Sequence, residues 1–159
     1  FYSILFYIGI LQDLPEKQAA LVFLDAQKAF DNLNWQFMIQ QIKDTNLGDK
    51  FKKMIEAIYS TQKASILLNG ENTETFKIIK GIRQGYPLSP LLFILTLEIF
   101  LIQIRQNPKI KGTKIKKEEY KTQAFADDVV FFIEEPIETG SILLQEIEEF
   151  GEVAGFKIK

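Results

Sequence analysis

Apolar residues run without interruption through AALVFLD, residues 19–25, and the run closes on a carboxylate. Such a pattern fits a strand covered on both faces, with Asp25 at its end. Phe37, Met38 and Ile42 then predict a helix with Asp31 or Asn32 near its start. Phe51, Met54, Ile55, Ile58 and Tyr59 recur at i, i+3, i+4, i+7 and i+8, the stripe of a second, amphipathic helix. KASILL and NTETFKIIK flank Asn69-Gly70, the pair preferred by a type I′ turn because both positions need positive φ, so this stretch reads as a hairpin. The loop GIRQGYPLSP follows, with Ser89 as N-cap and Pro90 at the first helical position of a long apolar helix ending near Asn107-Pro108. A lysine-rich segment leads into two strands, Tyr120 to Ala126 and Val129 to Ile133. Finally Leu143, Ile147, Phe150 and Ala154 mark one helix face, Gly155 closes that helix, and FKIK begins a strand. Helices alternating with hairpin-connected strands predict an α+β sandwich, an antiparallel sheet with helices packed on one face. No internal repeat or linker interrupts it.

Between the last two strands lie Asp127 and Asp128, adjacent carboxylates inside the apolar run QAFADDVVFF. An unpartnered buried carboxylate costs several kcal/mol and two side by side also repel, so core packing selects against the pair. At the two-residue tip of a hairpin both could project beyond the sheet, although such a tip normally wants Gly or Asn beside Asp. The bland alternative is two solvated turn carboxylates. If the strand ending at Asp25 lies beside this hairpin, three carboxylates converge. Two divalent cations about 3.5–4 Å apart would turn their repulsion into ligation and serve in-line phosphoryl transfer.

Composition narrows the chemistry. The 159 residues are 47% hydrophobic and 13% aromatic, enough for one domain with a sizeable core. There is no His and no Cys, which removes disulfides, thiolate or imidazole zinc sites, and every nucleophile that needs a histidine base. Carboxylates without such partners suit a hard cation such as Mg²⁺. The net charge of −2 and pI near 5.3 lack the basic surplus of an autonomous nucleic-acid binder, an objection that weakens if the chain is one piece of a larger protein. Starting at Phe1 and stopping at FKIK, it reads as a fragment. Neither FYSILFYIGIL nor LLFILTLEIFLI, which contains Glu98, is long enough to span a bilayer, and the second reads as a buried core helix.

ALVFLDAQKAFDNLNW, GIRQGYPLSPLLF and FADDVVFF, in this order and spacing, resemble three consecutive motifs of reverse transcriptases, those of long interspersed elements above all. These are retrotransposons without long terminal repeats. The likeness runs from about residue 19 to the end, where EEFGEVAGFKI resembles the start of the next motif. It implies a right-hand polymerase palm over residues 1–159, with partial fingers at the N-terminal side and no thumb. It also implies an RNA-directed DNA polymerase that extends a primer 3′-hydroxyl with deoxynucleoside triphosphates. The implied partners are an RNA template and a DNA primer, without a membrane. The implied cofactor is a pair of Mg²⁺ ions, with Mn²⁺ able to substitute. Position by position, Asp25, Asp127 and Asp128 match the family's metal-binding catalytic aspartates, and the carbonyl of Ala26 matches a further ligand. Phe30 matches the bulky residue beneath the incoming sugar, while alone it reads equally as a core aromatic. Arg83, Gln84 and Gly85 match the motif that contacts the incoming nucleotide and nearby template. Arg83 can pair with phosphate and Gly85 lets backbone approach a ligand, although turn chemistry before a helix would also explain the loop.

Other charges have plainer readings. Asp31 suits a helix cap better than a ligand, Trp35 suits packing, and the run from Lys109 to Lys121 includes Glu118 and Glu119, so it fits a solvated hairpin face as well as a nucleic-acid contact. Two positions depart from the family pattern: Tyr86 stands where Cys is usual and Ile82 where Thr is common. Fingers that grip the triphosphate, a thumb, an upstream endonuclease and the lysine of the last motif are not in this sequence. The isolated fragment is therefore expected to be inactive. A catalytically inactive retroelement remnant that at most binds nucleic acid or a partner is the alternative. A palm-like nucleotidyl cyclase shares the paired carboxylates, but the Arg-Gln-Gly loop before a Ser-Pro helix disfavours it. Nuclear access follows only from the resemblance.

Overall fold

The computed structural model describes residues 4–7, 18–25, 29–83, 85–125 and 128–156. Four strands form the main sheet: β1 (Ile4–Tyr7), β2 (Ala19–Asp25), β9 (Thr122–Phe125) and β10 (Asp128–Glu134), in the order β1-β2-β10-β9, every pair antiparallel. Between β2 and β9 come α1 (Ala29–Asn32), α2 (Trp35–Asp44) and α3 (Asp49–Ser60), then the short strands β3 (Lys63–Ala64), β4 (Leu67–Leu68), β5 (Glu71–Asn72) and β6 (Phe76–Lys77). Next are α4 (Ser89–Gln106), β7 (Thr113–Ile115) and β8 (Glu118–Tyr120), and α5 (Pro136–Ala154) follows β10. The result is a mixed fold of helices and antiparallel sheet, as the patterning predicts.

Register decides which side of the sheet is dry. Leu24 opposes Val129, Val22 opposes Phe131 and Ala20 opposes Ile133, and all six are buried. Opposed residues of an antiparallel pair share a face, so these form one apolar surface. Helix α5 lies against β10 and α4 against β9, while α2 packs on α3, α4 and α5. The opposite face carries Phe23, which is 41% exposed, so the expectation that β2 is covered on both sides does not hold among the described residues. A continuous apolar run cannot distinguish a doubly covered strand from one whose second face is left for something else.

An aromatic relay fills the layer between sheet and helices. Phe30 stacks on Phe93 at 4.6 Å, Phe93 approaches Phe156, Phe156 meets Phe150 edge-on, and Phe150 stacks on Phe100 at 4.5 Å. Phe100 then meets Phe131 of the sheet edge-on. Helix α4 has the length and apolar composition to cross a membrane, yet Leu92, Phe93, Leu97, Phe100, Leu101 and Ile104 on one side of it belong to this core.

Local chemistry corrects two helix starts. The chain after β2 breaks into α1 and α2, and the cap of α2 is Asn34, whose Oδ1 accepts from the amides of Gln36 and Phe37. Asp31 lies inside the one-turn α1. Helix α4 begins at Ser89 with Leu88 in the cap position, so Pro90 is its second residue. The Ser89 hydroxyl is buried and has no hydrogen bond of normal geometry among the described residues. The Asn69-Gly70 turn is as predicted, with φ of 51° and 88°, and Gly155 closes α5 at φ 86°. The strand expected at FKIK lies outside the described residues apart from Phe156.

Candidate active site

Asp128 is the first residue of β10 and is exposed. Its backbone is paired on both sides, with Asp25 of β2 and with Phe125 of β9. The two predicted catalytic positions of the outer motifs are therefore directly opposed at the end of one ladder. Asp128 lies on the face that alternates with the buried one, the same face that carries exposed Phe23. Because Phe125 pairs with Asp128, two residues, 126 and 127, connect the strands. The expectation that Asp127 and Asp128 together form the tip is corrected for Asp128, which belongs to the strand. Asp127, Ala26 and Gln84 lie outside the described residues. Among the described residues no three carboxylates cluster as a metal site, and no Lys or Arg forms an ion pair with Asp128.

Phe30 and the Arg83 loop come together through backbone. The amide of Gly81 donates to Leu33 O at 2.8 Å, and that of Ile82 to Phe30 O at 2.6 Å. The Trp35 indole N–H donates to Gly81 O, and its ring meets Tyr59 edge-on. Trp35 is thus the packing residue it was read to be. Gly81, which carries no signal in the motifs, is a close approach between them: at φ 82°, a Cβ there would sit 2.6 Å from Asp31 O. Gly85 also has positive φ, 80°, with open space around it. Phe30 is half-buried on Phe93, which holds its ring without covering it.

Arg83 and Tyr86 are exposed and border a cavity of about 280 Å³ together with Ile58, Tyr59, Thr61, Gln62 and Lys63. Burial pushes the Tyr59 phenol above its ordinary pKa, an effect that Ser89 and the Arg83 guanidinium partly offset. The lysine-rich segment is mostly the solvated hairpin expected, β7 with β8. Lys121 differs: it is buried and its Nζ donates to Asn107 O at 2.9 Å, fastening that hairpin to the end of α4. Lys111, at the other side, ion-pairs with Glu135.

Residues 8–159 match the family described as reverse transcriptase (RNA-dependent DNA polymerase). This chain belongs to the reverse transcriptase family. The reverse transcriptase segment is 30% identical, over 135 residues, to the retrovirus-related Pol polyprotein from the type-2 retrotransposable element R2DM of Drosophila melanogaster; the match covers 85% of the chain and 12% of that protein. It is 32% identical over 111 residues to the Pol polyprotein from a type-1 retrotransposable element R2 of Popillia japonica, covering 69% of the chain and 16% of that protein. Against the transposon TX1 uncharacterized 149 kDa protein of Xenopus laevis, identity is 28% over 121 residues, 75% of the chain and 9% of the relative. The reverse transcriptase chain thus spans less than a fifth of each of these relatives. The resemblance to reverse transcriptases of retrotransposons without long terminal repeats is borne out.

Proposed function

We propose that this chain is the palm, with part of the fingers at its N-terminal side, of an RNA-directed DNA polymerase encoded by a retrotransposon without long terminal repeats. The observation that carries the proposal is the register of β2 on β10. It opposes Asp25 and Asp128 at the ladder's end, with Asp128 exposed on the face away from the buried core. Like charges directly opposed on a sheet destabilise it, and among the described residues no basic side chain offsets Asp128. Oxygen-only donors of this kind fit Mg²⁺, which demands hard ligands and keeps room for substrate phosphates.

Asp25, Asp127 and Asp128 would hold two such ions, with the carbonyl of Ala26 as a further donor. When bound, the ions supply activation of the primer 3′-hydroxyl and stabilisation of charge on the leaving pyrophosphate. The chain's own residues then bind and orient. Arg83 offers a guanidinium to the triphosphate, Gln84 and Gly85 face the incoming nucleotide and template, and Phe30 lies beneath the sugar and disfavours a ribose 2′-hydroxyl. The two backbone hydrogen bonds from Gly81 and Ile82 support this by tying the Arg83 loop to Phe30. An RNA template, a DNA primer and deoxynucleoside triphosphates are the substrates; thumb, remaining fingers and endonuclease belong to the parent polypeptide.

Primer extension on an RNA template with Mg²⁺, using the full reading frame beside Asp127→Ala and Asp128→Asn, tests the proposal. Extension by the parent and none by either variant is expected. A folded parent that extends nothing would favour the inactive remnant, and equal rates in parent and variants would remove the aspartates from the site.

A further inference from the structure

Strands β3 and β6 pair so that Lys63 lies directly opposite Lys77. Both are exposed and neither forms an ion pair among the described residues. Two opposed cations repel across a ladder and stabilise nothing by themselves. The lysines also line a groove of about 830 Å³ at the base of the hairpin, which shares Tyr59, Thr61, Gln62 and Lys63 with the smaller cavity beside Arg83. The two cavities therefore adjoin, and together they trace a path from the Arg83 loop, past the end of α3, to the hairpin. The acidic residue on its wall, Glu56, is paired with Lys43 at 3.0 Å. Tyr86, the aromatic that replaces the usual Cys, stands 48% exposed at the end nearest Arg83.

We propose that this path holds the unpaired template RNA before it reaches the active site, with Lys63 and Lys77 against successive phosphates and Tyr86 as a stacking platform for a base. The identity of the strand as template rests on the polymerase reading. Charge selects a polyanion, and a path with cations spaced along one side and an exposed ring suits a single strand, whose unpaired bases can stack on aromatics. Gln62 and Thr61 add amide and hydroxyl groups that can meet ribose and base edges.

The test uses the complete protein with primer–template duplexes that are blunt or carry a long single-stranded 5′ RNA overhang, read by fluorescence anisotropy. In the parent, the overhang strengthens binding. Lys63→Ala/Lys77→Ala is expected to reduce that advantage about tenfold, and the slope of log Kd against log salt for the overhang substrate should become shallower by about 1.4, two phosphate contacts on a single strand. Photo-crosslinks from a thiouridine in the overhang should map to Tyr86. An unchanged advantage, equal weakening of blunt and overhang duplexes, or crosslinks only elsewhere would overturn the proposal. A parent that prefers overhangs through these lysines yet extends no primer would fail the polymerase reading alone and leave the groove as an RNA site.

Discussion

Two ladders in this molecule oppose like charges. At the end of β2 and β10 the residues are Asp25 and Asp128; in β3 and β6 they are Lys63 and Lys77. The first ladder is seven residue pairs long and rests on Val22, Leu24, Val129 and Phe131, all buried. The second has two pairs, and Ile66, Leu67 and Phe76 around it are half exposed or more. A core-backed ladder fixes the backbone positions it opposes, which suits chemistry that needs fixed distances. A short surface ladder can shift with its ligand, which suits a flexible polyanion bound mainly through charge. On the proposed reading both places lack a counter-charge, and the backing beneath each ladder is what would separate the polymerase site from the template track.

The largest effect expected separates the two foundations. Phe131→Ala removes a fully buried ring that meets Phe100 and should cost roughly 3–5 kcal/mol in urea unfolding, while Phe76→Ala on the hairpin should cost no more than about 0.5 kcal/mol. Similar losses at both sites would erase the contrast. Next, relieving either repulsion should stabilise the chain free of metal and nucleic acid: Asp128→Asn and Lys77→Gln are each expected to gain about 0.2–1 kcal/mol. Mg²⁺ should then raise the melting temperature of the parent and of Lys77→Gln more than that of Asp128→Asn; an identical rise in all three would detach the aspartate from the metal. The smallest effect concerns Tyr59, on the wall the two cavities share. Its folded-state pKa is raised, mainly by burial, so the folded state retains its proton to higher pH than the unfolded state does. Stability from this group is complete below the unfolded value of 10.0 and falls as pH rises above it. Alkaline unfolding of Tyr59→Phe should show a shallower decline than the parent, and parallel curves would mean that the phenol is already solvated.

Much of this was legible in the linear chain because it depends on local rules. Asn69-Gly70 specifies its turn through positive φ, Gly155 its helix end, and the apolar stripe of α5 its buried face. The residue order of the three motifs likewise carried the family. What could not be read locally were choices between competing neighbours. Asn34 rather than Asp31 caps α2, because two hydrogen bonds from Gly81 and Ile82 to Leu33 and Phe30 fix where the short α1 ends. Lys121 reads locally as one solvated lysine among several, and only the fold brings it to the Asn107 carbonyl that accepts from it.

By itself, then, the sequence determined the element types, the absence of histidine and thiol chemistry, and the identity of the carboxylates available for a reaction. Tertiary structure alone decided that Asp25 opposes Asp128 in register, that Phe23 and Asp128 are exposed on the sheet face away from the core, and that Lys63 opposes Lys77 beside Arg83. The physical reason is that propensity and periodicity act over a few residues. Register across a ladder is selected by the packing of a whole apolar face, to which residues far apart in the chain contribute together.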